Sequence, residues 1–578
     1  MKKIYILGAA AALAFSMASC NDFLEDNRNP LSIMTANPEF WSNPVNVEGQ
    51  CNAFYNNILG YGSGTNGTFY FKTLNDDQAG AISSEFANWT FTTVPSSSSY
   101  WNDPYIEIRR ANLIIQGVTG GTLNETVEGR NYLGIARLNR AMQYFTLVKR
   151  YGDVPLVTEP LEPTNDAELF GPRTARNTVM DFALEDIKYA CENISTVRSK
   201  TTFSQDMAKA FMVEFCLFEG TYARYNQKDE ERAKNYLNLV VSTAGELLQS
   251  YPVGNDYKAL YNSISEDLAA QDEVIMMKAY AKDIMMNAIM NWTLSSSSVC
   301  GITKDAFDSF LFVDGMPLYA QADKNDAGVA IVTESFDGGA PSNENHQTVD
   351  ISSLLSVRDK RLSAIVFPVL MYENMRFKYP NTMDMTSRSG YGVAKFQNTS
   401  IDYDYAGQTG KNYIASPIFW GARINMAYLE ARAELGTISD SDITSYLAPL
   451  YSRAGLPVPT KASLESISDP ANDMAVSNLL WELRRCRRCE FMLDDDIRYW
   501  DLVRGHQLDK LDFAKNPDIA LGANVSIAPV APPRVKNGYY DVSGGMTRTF
   551  SEREYFWPIP SEQITLSKNK MTQNPGWE

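Results

Sequence analysis

The first residue with distinctive chemistry is Cys20, which ends an apolar run and is followed at once by acidic residues in SMASCNDFLED. Lys2 and Lys3 precede an apolar run from Ile4 to Phe15, a pattern typical of a secretory signal. The run has about a dozen residues, whereas a transmembrane helix needs ~20, which favours cleavage over retention. A cysteine at the cleavage point predicts lipid acylation of its thiol and anchoring to a membrane. The alternative is an ordinary signal peptide with a chance cysteine.

Six further cysteines offer thiol chemistry: Cys51, Cys191, Cys216, Cys300, Cys486 and Cys489. The sequence alone does not choose among the possible disulfide pairings. Cys486 and Cys489 form a CxxC motif in RRCRRCEF, but no second CxxC exists and the histidines are His346 and His506. Redox, zinc and histidine-based catalytic sites are therefore disfavoured, and we expect no cofactor and no metal.

The charge and composition of the chain limit its partners. Lys and Arg number 52 and Asp and Glu number 69, so the formal net charge is −17, and removal of Lys2 and Lys3 gives −17 − 2 = −19. Such a surface repels polyphosphate, so we expect no nucleic-acid partner. With 578 residues and 44% hydrophobic residues, the chain is long enough to bury large cores.

Several segments repeat apolar residues at helical spacing, which predicts helices that each bury one face. These residues are Ala141, Tyr144, Phe145 and Val148; Met180, Ala183, Leu184, Ile187 and Cys191; Ala208, Phe211, Met212 and Phe215; and Ile424, Ala427, Tyr428, Ala431 and Leu435. Gly152 and Pro155 are expected to end the first of these helices. A further helix is predicted from about Met474 to Arg504. Helices separated by short turns predict a mainly α fold, a tetratricopeptide-type stack of helical hairpins with a few short strands.

Two long segments lack helical period. Residues 60 to 104 are rich in Gly, Ser, Thr, Asn and aromatic residues, and residues 285 to 420 mix short apolar runs with turn signals. Loops of this length in a compact protein are usually functional or disordered, and the aromatic content argues against disorder. We therefore expect these loop-rich regions to be functional.

Motifs along nearly the whole chain resemble those of one known family. After the cysteine motif, they are WNDPYIEIRRANLII, ARLNRAMQYFTLVKRYGDVPLV, TKDAFDSFLFVDGMPL, LEARAELG, SRAGLP, RRCRRCEFMLDDDIRYWDLVRG and the tail YFWPIPSEQITLSKNKMTQNPGW, which is the most specific. The chain resembles the SusD/RagB family, the surface glycan-capturing lipoproteins of Bacteroidetes polysaccharide-uptake systems. It departs from the family pattern at Lys360, where the family usually has Pro, at Asp496 and Ile497, and in the segment before Glu490.

The motif residues also have a structural interpretation. Arginines and acidic residues at helical spacing between Arg484 and Arg504 are expected to form ion pairs within and between packed helices. The Pro-Ile-Pro and Asn-Pro-Gly sequences are expected to fix turns that dock the tail. The motifs therefore indicate the scaffold and not the ligand.

The resemblance implies a non-catalytic protein that binds oligosaccharide or polysaccharide in a site built from loops. Sugar rings stack on Trp or Tyr, and their hydroxyls need polar side chains around the rim. The candidate ligand-binding residues in the loop-rich regions are Trp89, Trp292, Asp76, Asp77, Asn88, Arg376, Tyr403, Tyr405 and Cys300. We assign Trp101 and Tyr105 to packing, because they start a helix with an apolar face.

The resemblance also implies a location and a partner. It implies an outer-membrane, cell-surface lipoprotein, anchored by lipid at Cys20, that delivers its ligand to a SusC-like TonB-dependent transporter. One alternative is a RagB-type member that feeds a peptide importer. The other is a surface glycoside hydrolase, which would need two carboxylates across a cleft, and no local motif singles out such a pair.

The expected organisation has three parts. Residues 1–19 form a cleaved signal peptide, residues 20–40 a lipidated tether, and residues 41–578 a single domain. In that domain we expect a helical scaffold at 41–60, 101–280 and 420–510, ligand-binding regions at 60–104 and 285–420, and a docking tail at 511–578.

Overall fold

The computed structural model describes residues 38–62, 74–79, 89–161, 169–293, 300–320, 330–332, 340–341, 347–372, 377–378, 385–402, 405, 408, 410–494 and 496–578. Cys20 and the expected signal peptide lie outside these residues. Among the helices of the described ranges, none combines the length and the apolar character needed to cross a membrane.

The N-terminal half of the described chain is a series of helices. They are α1 (Pro38–Ser42), α2 (Pro44–Asn52), α3 (Ser99–Thr119), α4 (Val127–Tyr151), α5 (Arg176–Asn193), α6 (Gln205–Tyr222) and α7 (Glu230–Gly245). Helix α4 packs against α3 and α5, and α6 packs against α5 and α7. The mainly α fold is confirmed, and α4 ends at Gly152 as predicted, where φ is +70°.

Apart from α14 and α18, the remaining helices have at most 8 residues. They are α8 (Tyr257–Asn262), α9 (Ser265–Ala269), α10 (Ile289–Thr293), α11 (Lys304–Asp308), α12 (Ser352–Ser356), α13 (Lys360–Ile365), α14 (Gly421–Glu434), α15 (Asp440–Asp442), α16 (Ala448–Arg453), α17 (Lys461–Ser466), α18 (Asn478–Glu490), α19 (Ile497–Arg504) and α20 (Ser561–Leu566). Single 3-10 turns occupy Ala53–Asn57, Thr122–Glu125, Leu318–Ala320, Leu508–Leu511, Pro517–Ala520 and Glu552–Tyr555, and π turns occupy Ala223–Gln227 and Ile443–Leu447.

The prediction of one helix from Met474 to Arg504 is wrong, because the structure divides it into α18 and α19. The segment between the two helices is held by the buried Lys395 ammonium. This group donates to the Met492 carbonyl at 2.7 Å and to Asp494 Oδ1 at 2.6 Å. Tyr261 donates to Asp494 Oδ2 at 2.6 Å, and Leu493 adopts a φ of +67°. A buried lysine needs these oxygen partners, and a continuous helix would not present them.

Strands in the described ranges are short and mostly antiparallel pairs. They are β1 (Val274–Lys278), β2 (Ala330–Val332), β3 (Ala340–Pro341), β4 (Thr348–Asp350), β5 (Val366–Met371), β6 (Phe377–Lys378), β7 (Gly390–Val393), β8 (Ser416–Trp420), β9 (Leu521–Asn524), β10 (Val535–Lys536) and β11 (Tyr539–Asp541). β1 pairs with β8, β3 with β6, and the other two sheets have the orders β2-β4-β5-β7 and β10-β11-β9.

Two large hydrophobic cores hold these elements together. The first core joins residues of α1 to α7 with α19 and with the C-terminal tail, from Phe40 to Met571. The second core lies among α8, α13, α14, α18 and the central strands. Tyr428 and Tyr446 pack against both cores, so the two are in contact.

The tail docks on the end of α4. The Trp557 amide donates to the Arg150 carbonyl at 2.7 Å, and Asn574 Nδ2 donates to the Tyr151 carbonyl at 3.0 Å. Arg173 Nη1 in turn donates to Asn574 Oδ1 at 2.7 Å. The Asn-Pro-Gly segment therefore closes the fold, as the sequence motif predicts.

Candidate ligand-binding site

A cavity of about 760 Å³ lies between the two cores. It is lined by one face of α4, by the first turn of α3, by α6, by β8 and by α19. Its rim includes Asn56, Leu59, Ser99 and Asp103, which are exposed, so the cavity is reached from the surface near residues 56–61. This volume lies within the range of about 300–1,000 Å³ that is typical of small-molecule sites.

Helical spacing explains which side chains face the cavity. In α4, Met142, Phe145, Thr146 and Lys149 follow the i, i+3, i+4, i+7 pattern of a single helix face. In α19, Ile497, Trp500, Asp501 and Arg504 repeat the same spacing. Thr126 fixes the start of α4, because its Oγ1 accepts a hydrogen bond from the Gly129 amide at 2.9 Å.

Aromatic faces and cations meet on one side of the cavity. The Lys149 ammonium lies 4.4 Å from the Phe145 ring centroid and 4.5 Å from that of Trp500. The Arg150 guanidinium lies 5.2 Å from the ring centroids of Tyr100 and Trp500. These distances are those of cation–π contacts, which hold the cations over the ring faces.

Ion pairs fix the charged groups of the lining. Arg423 pairs with Glu214 and donates from Nη1 to the Ile418 carbonyl at 2.6 Å. Trp500 Nε1 donates to Asp496, whose carboxylate is 4.0 Å from Arg150. The cavity therefore presents apolar ring faces beside oriented donors and acceptors.

Trp420 supplies an open hydrogen-bond donor on this lining. Its side chain is buried, with 2% of its surface exposed, and its Nε1 has no partner among the described residues. An indole N–H that is buried without a partner costs free energy. A hydroxyl of a ligand or a water would satisfy it.

The described candidates from the sequence do not line this cavity. Trp89 is partly buried, and its Nε1 donates to the Thr549 carbonyl at 2.7 Å, so it holds the tail. Trp292 is partly buried against the second core. The Tyr405 hydroxyl donates to Asp283 Oδ1 at 2.5 Å, which raises the pKa of Tyr405 to about 12. Ligand contact by these three residues stays a prediction.

The structure corrects the placement of three other candidates. Asp76 and Asp77, ligand-binding candidates from the first loop-rich region, are 0% and 1% exposed. Arg498 donates to both Asp76 oxygens at 2.7 and 2.6 Å, and Arg488 donates to Asp77 Oδ1 at 2.7 Å. Cys300 is 0% exposed. All three side chains are therefore closed off from solvent. The ion pairs of the two carboxylates anchor residues 74–79 to α18 and α19.

Asn88, Arg376 and Tyr403 lie outside the described residues, so the structure does not test them. Most of the aromatic residues that do line the cavity sit in regular helices and strands, whereas Tyr61 and Phe396 lie in turns. A Trp or Phe at helical spacing usually belongs to a core, so the sequence pattern predicts packing for such residues and not ligand contact. Trp101, assigned to packing, is indeed buried at 3% exposure.

The predicted ion pairs between Arg484 and Arg504 are confirmed. Arg484 donates to Glu430 at 3.0 Å and to Glu434 at 2.7 Å, which joins α18 to α14. Arg504 donates to both Glu430 oxygens at 2.8 Å. Burial alone would raise the pKa of Glu430, but Arg504 and Arg484 hold that pKa below its usual value.

Within the described residues, the six cysteines form no disulfide with one another. Cys486 and Cys489 of the CxxC motif are buried, and burial raises their pKa values to about 11 and about 12. Their thiols contact Arg361 and Ser309, at 3.6 and 3.7 Å. The motif therefore lies in the packing of α18 against its neighbours.

Comparison with known families decides the identity of the fold. The SusD family model matches residues 265–577, more than half of the chain. The chain belongs to the SusD family. A second model, described as starch-binding associating with outer membrane, matches residues 23–217. The two models together span most of the chain.

Individual relatives agree with this assignment. The chain is 34% identical over 136 residues to SusD-like protein P38 of Formosa agariphila, which covers 23% of this chain and 26% of P38. It is 24% identical over 311 residues to a SusD-like protein of Bacteroides ovatus, covering 50% of this chain and 53% of that protein. The chain thus spans about half or less of the length of these curated relatives.

Solved structures share the fold over nearly the whole chain. A SusD-like carbohydrate binding protein from Bacteroides fragilis aligns with a TM-score of 0.66 at 17% identity, covering 91% of this chain and 99% of that chain. A laminarin binding SusD-like protein aligns with a TM-score of 0.55 at 18% identity, covering 92% and 99%. At these identities the alignments show a common fold.

Proposed function

We propose that this SusD family member is a non-catalytic, cell-surface lipoprotein of the outer membrane that binds oligosaccharide or polysaccharide. In this proposal Cys20 carries the lipid anchor, and a SusC-like TonB-dependent transporter receives the ligand. The outer-membrane description of the N-terminal family model and the carbohydrate-binding and laminarin-binding neighbours support it. Burial of the ligand between two proteins would exclude water and raise affinity above that of either surface alone.

The observation that carries the proposal is the 760 Å³ cavity between the cores. Its ring faces suit the apolar faces of pyranose rings, and its paired carboxylates and guanidinium groups suit hydroxyls. Trp420 Nε1 adds a donor that has no partner among the described residues. Entry from the rim near residues 56–61 places the cavity beside the first loop-rich region.

The test is affinity electrophoresis of the purified chain against starch, laminarin, fructan and mannan. A Thr146→Trp variant fills the cavity from the α4 face without removing a buried ring, and Thr146→Ser is its matched control. We expect Thr146→Trp to weaken binding at least about tenfold, equivalent to about 1.4 kcal/mol, while Thr146→Ser binds like the wild type.

The loop prediction is tested in the same experiment. Trp89→Ala and Trp292→Ala variants report on ligand contact outside the cavity. If Thr146→Trp binds polysaccharide like the wild type and either loop variant loses binding, the ligand binds at the loops and not in the cavity. New reducing ends during incubation would favour a hydrolase, and blank glycan panels with co-purifying peptides would favour a peptide importer.

A further inference from the structure

A second cavity, of about 580 Å³, lies on the arginine-rich face of α18 and α19. Its basic lining residues are Arg484, Arg485, Arg487, Arg488, Arg498, Arg504 and Lys510, and its acidic ones are Asp305, Asp308, Asp469 and Asp501. Cations therefore outnumber carboxylates on the lining, although the whole chain has a formal charge of −17. Arg487, Asp501 and Arg504 also line the first cavity, so they form the wall between the two.

Most of these guanidinium groups are committed to carboxylates on the lining or behind it. Arg485 pairs with Asp469 and Glu482, and Arg488 donates to Asp305 Oδ2 at 2.6 Å in addition to Asp77. These pairs hold the helices together and leave little donor capacity for a ligand.

Arg487 differs from its neighbours. Its side chain is 8% exposed, and its Nε donates to Asp501 Oδ2 at 2.8 Å. Its two Nη groups donate no hydrogen bond to any described residue. Asp501 is shared, because Arg504 Nε donates to its other oxygen at 2.7 Å. One carboxylate therefore faces two guanidinium groups.

At this wall two guanidinium groups flank a single carboxylate, that of Asp501. Burial alone would raise the pKa of Asp501, but Arg487 and Arg504 hold it below its usual value. Guanidinium donors that find no partner in the protein are completed by water or by an anion. A planar fork of N–H groups binds carboxylate and sulfate oxygens in pairs, which makes an oxyanion the best-matched partner.

We propose that this second cavity binds an oxyanion, a carboxylate or sulfate group carried on a sugar, with the Arg487 guanidinium as its principal donor. Trp481 and Tyr319 line the same cavity, and Tyr319 is 44% exposed, so a sugar ring has aromatic surface beside the anion. The proposal stands whether or not the first cavity binds a neutral glycan.

Isothermal titration of the purified chain with monosaccharides tests the ligand class. The probes are glucuronate, galacturonate and glucose 6-sulfate, with glucose and galactose as neutral counterparts and inorganic sulfate as the free anion. We expect the charged sugars to bind at least about tenfold more tightly than their neutral counterparts, with affinity that falls as salt rises. Tighter binding of charged sugars than of sulfate supports a sugar-borne anion, and equal binding supports the oxyanion site with a free anion. No binding by any anion overturns the proposal.

Two variants locate the binding. Arg487→Gln removes the fork but keeps a donor near Asp501, and Ala471→Trp fills the cavity from an exposed position without touching the arginines. We expect each to weaken charged-sugar binding at least about tenfold. Arg198→Gln, whose side chain is 61% exposed outside this cavity, removes one positive charge and should bind like the wild type. Wild-type binding in both Arg487→Gln and Ala471→Trp would show that the anion binds elsewhere and would overturn the assignment.

Binding of a neutral polysaccharide by the same variants tests the two cavities separately. Ala471→Trp should retain polysaccharide binding at the first cavity, and Thr146→Trp should retain charged-sugar binding at the second. If neither the wild type nor any variant binds polysaccharide while charged-sugar binding is intact, the proposed function is rejected and the oxyanion site in the second cavity stands.

Discussion

Asp76 and Asp77 are adjacent residues whose carboxylates both lie near Arg488, and yet their pKa values shift in opposite directions. Burial raises the pKa of both groups, but Arg488 and Arg498 hold the pKa of Asp76 below its usual range. Asp77, which also faces the charge of Asp76, has its pKa raised to about 6. Bidentate contact with Arg498 explains why Asp76 is the carboxylate that keeps its charge.

Asp76→Asn and Asp77→Asn form a matched pair that tests this difference. At neutral pH we expect Asp76→Asn to lower the free energy of unfolding by about 3 kcal/mol, because it leaves a buried guanidinium without its anion. Asp77→Asn should cost about 1 kcal/mol or less, because a neutral group already suits this position. Urea denaturation at fixed pH measures both.

The pH dependence of the two variants has opposite signs. The folded pKa of Asp77 lies above its ordinary value of 3.8, so this group costs the wild type stability as pH rises from about 4 to about 6. Asp77→Asn should therefore gain on the wild type over that range. Asp76 has a lowered pKa, so it adds stability as pH rises through about 4, and Asp76→Asn should fall further behind. Parallel pH profiles for all three chains would contradict this assignment.

Residue-level prediction from the sequence succeeded where spacing carries the information. The arginines from Arg484 to Arg504 form the ion pairs that their helical spacing predicts. Asp76 and Asp77 are ligand-binding candidates from sequence, but their partners Arg488 and Arg498 lie more than 400 positions away in the chain. No local pattern carries such a pairing, so their burial was not predictable.

At the scale of elements, the junction of β8 and α14 brings backbone very close to backbone. A Cβ added at Gly421 would lie 2.1 Å from the Tyr251 carbonyl oxygen. Gly421 follows Trp420 directly, so this close approach fixes the position of Trp420 on the wall of the first cavity.

Gly421→Ala should destabilise the chain by about 1–3 kcal/mol, because a backbone carbonyl cannot move aside as a flexible side chain does. Gly49→Ala is the control: it lies in α2 with nothing within 4 Å of the added Cβ. There we expect a gain of about 0.8 kcal/mol from helix propensity. Thermal unfolding of both variants measures the difference, and equal midpoints would count against the close approach.

The elements themselves were largely predictable, and their boundaries were less so. Apolar spacing indicated α4, α5, α6 and α14, because these helices bury a continuous stripe. Helix α3 begins at Ser99, two residues before residue 101, where the helical scaffold is predicted to resume. The break between α18 and α19 depends on Lys395, which is distant in sequence, so periodicity alone extended the helix across it.

At the scale of the whole molecule, the tail completes a core that the N-terminal helices begin. Asn574, which is 3% exposed, donates to the Tyr151 and Trp557 carbonyls at 3.0 and 2.8 Å and accepts from Arg173. The cluster lies against α4 beside Arg150 and Tyr100, which line the first cavity.

Asn574→Ala should lower the free energy of unfolding by about 2–3 kcal/mol, because it leaves buried carbonyls and a guanidinium donor without partners. It should also make the last residues more sensitive to limited proteolysis. Thr572→Ala removes an exposed partner of the same Arg173, at 3.2 Å, and should change stability by less than about 0.5 kcal/mol. Equal protease sensitivity of the two variants would show that the tail is held by other contacts.

The first core takes residues from near the start of the described chain and from its last ten positions, from Phe40 to Met571. A ribosome releases those two groups of residues at opposite ends of translation. Helices α1 to α7 therefore remain without part of their packing until synthesis is almost finished, and contacts of such long sequence separation form slowly. An early stop codon or a clipped C-terminus would consequently leave the helices that are synthesised first, α1 to α7, incompletely packed and open to proteases and chaperones.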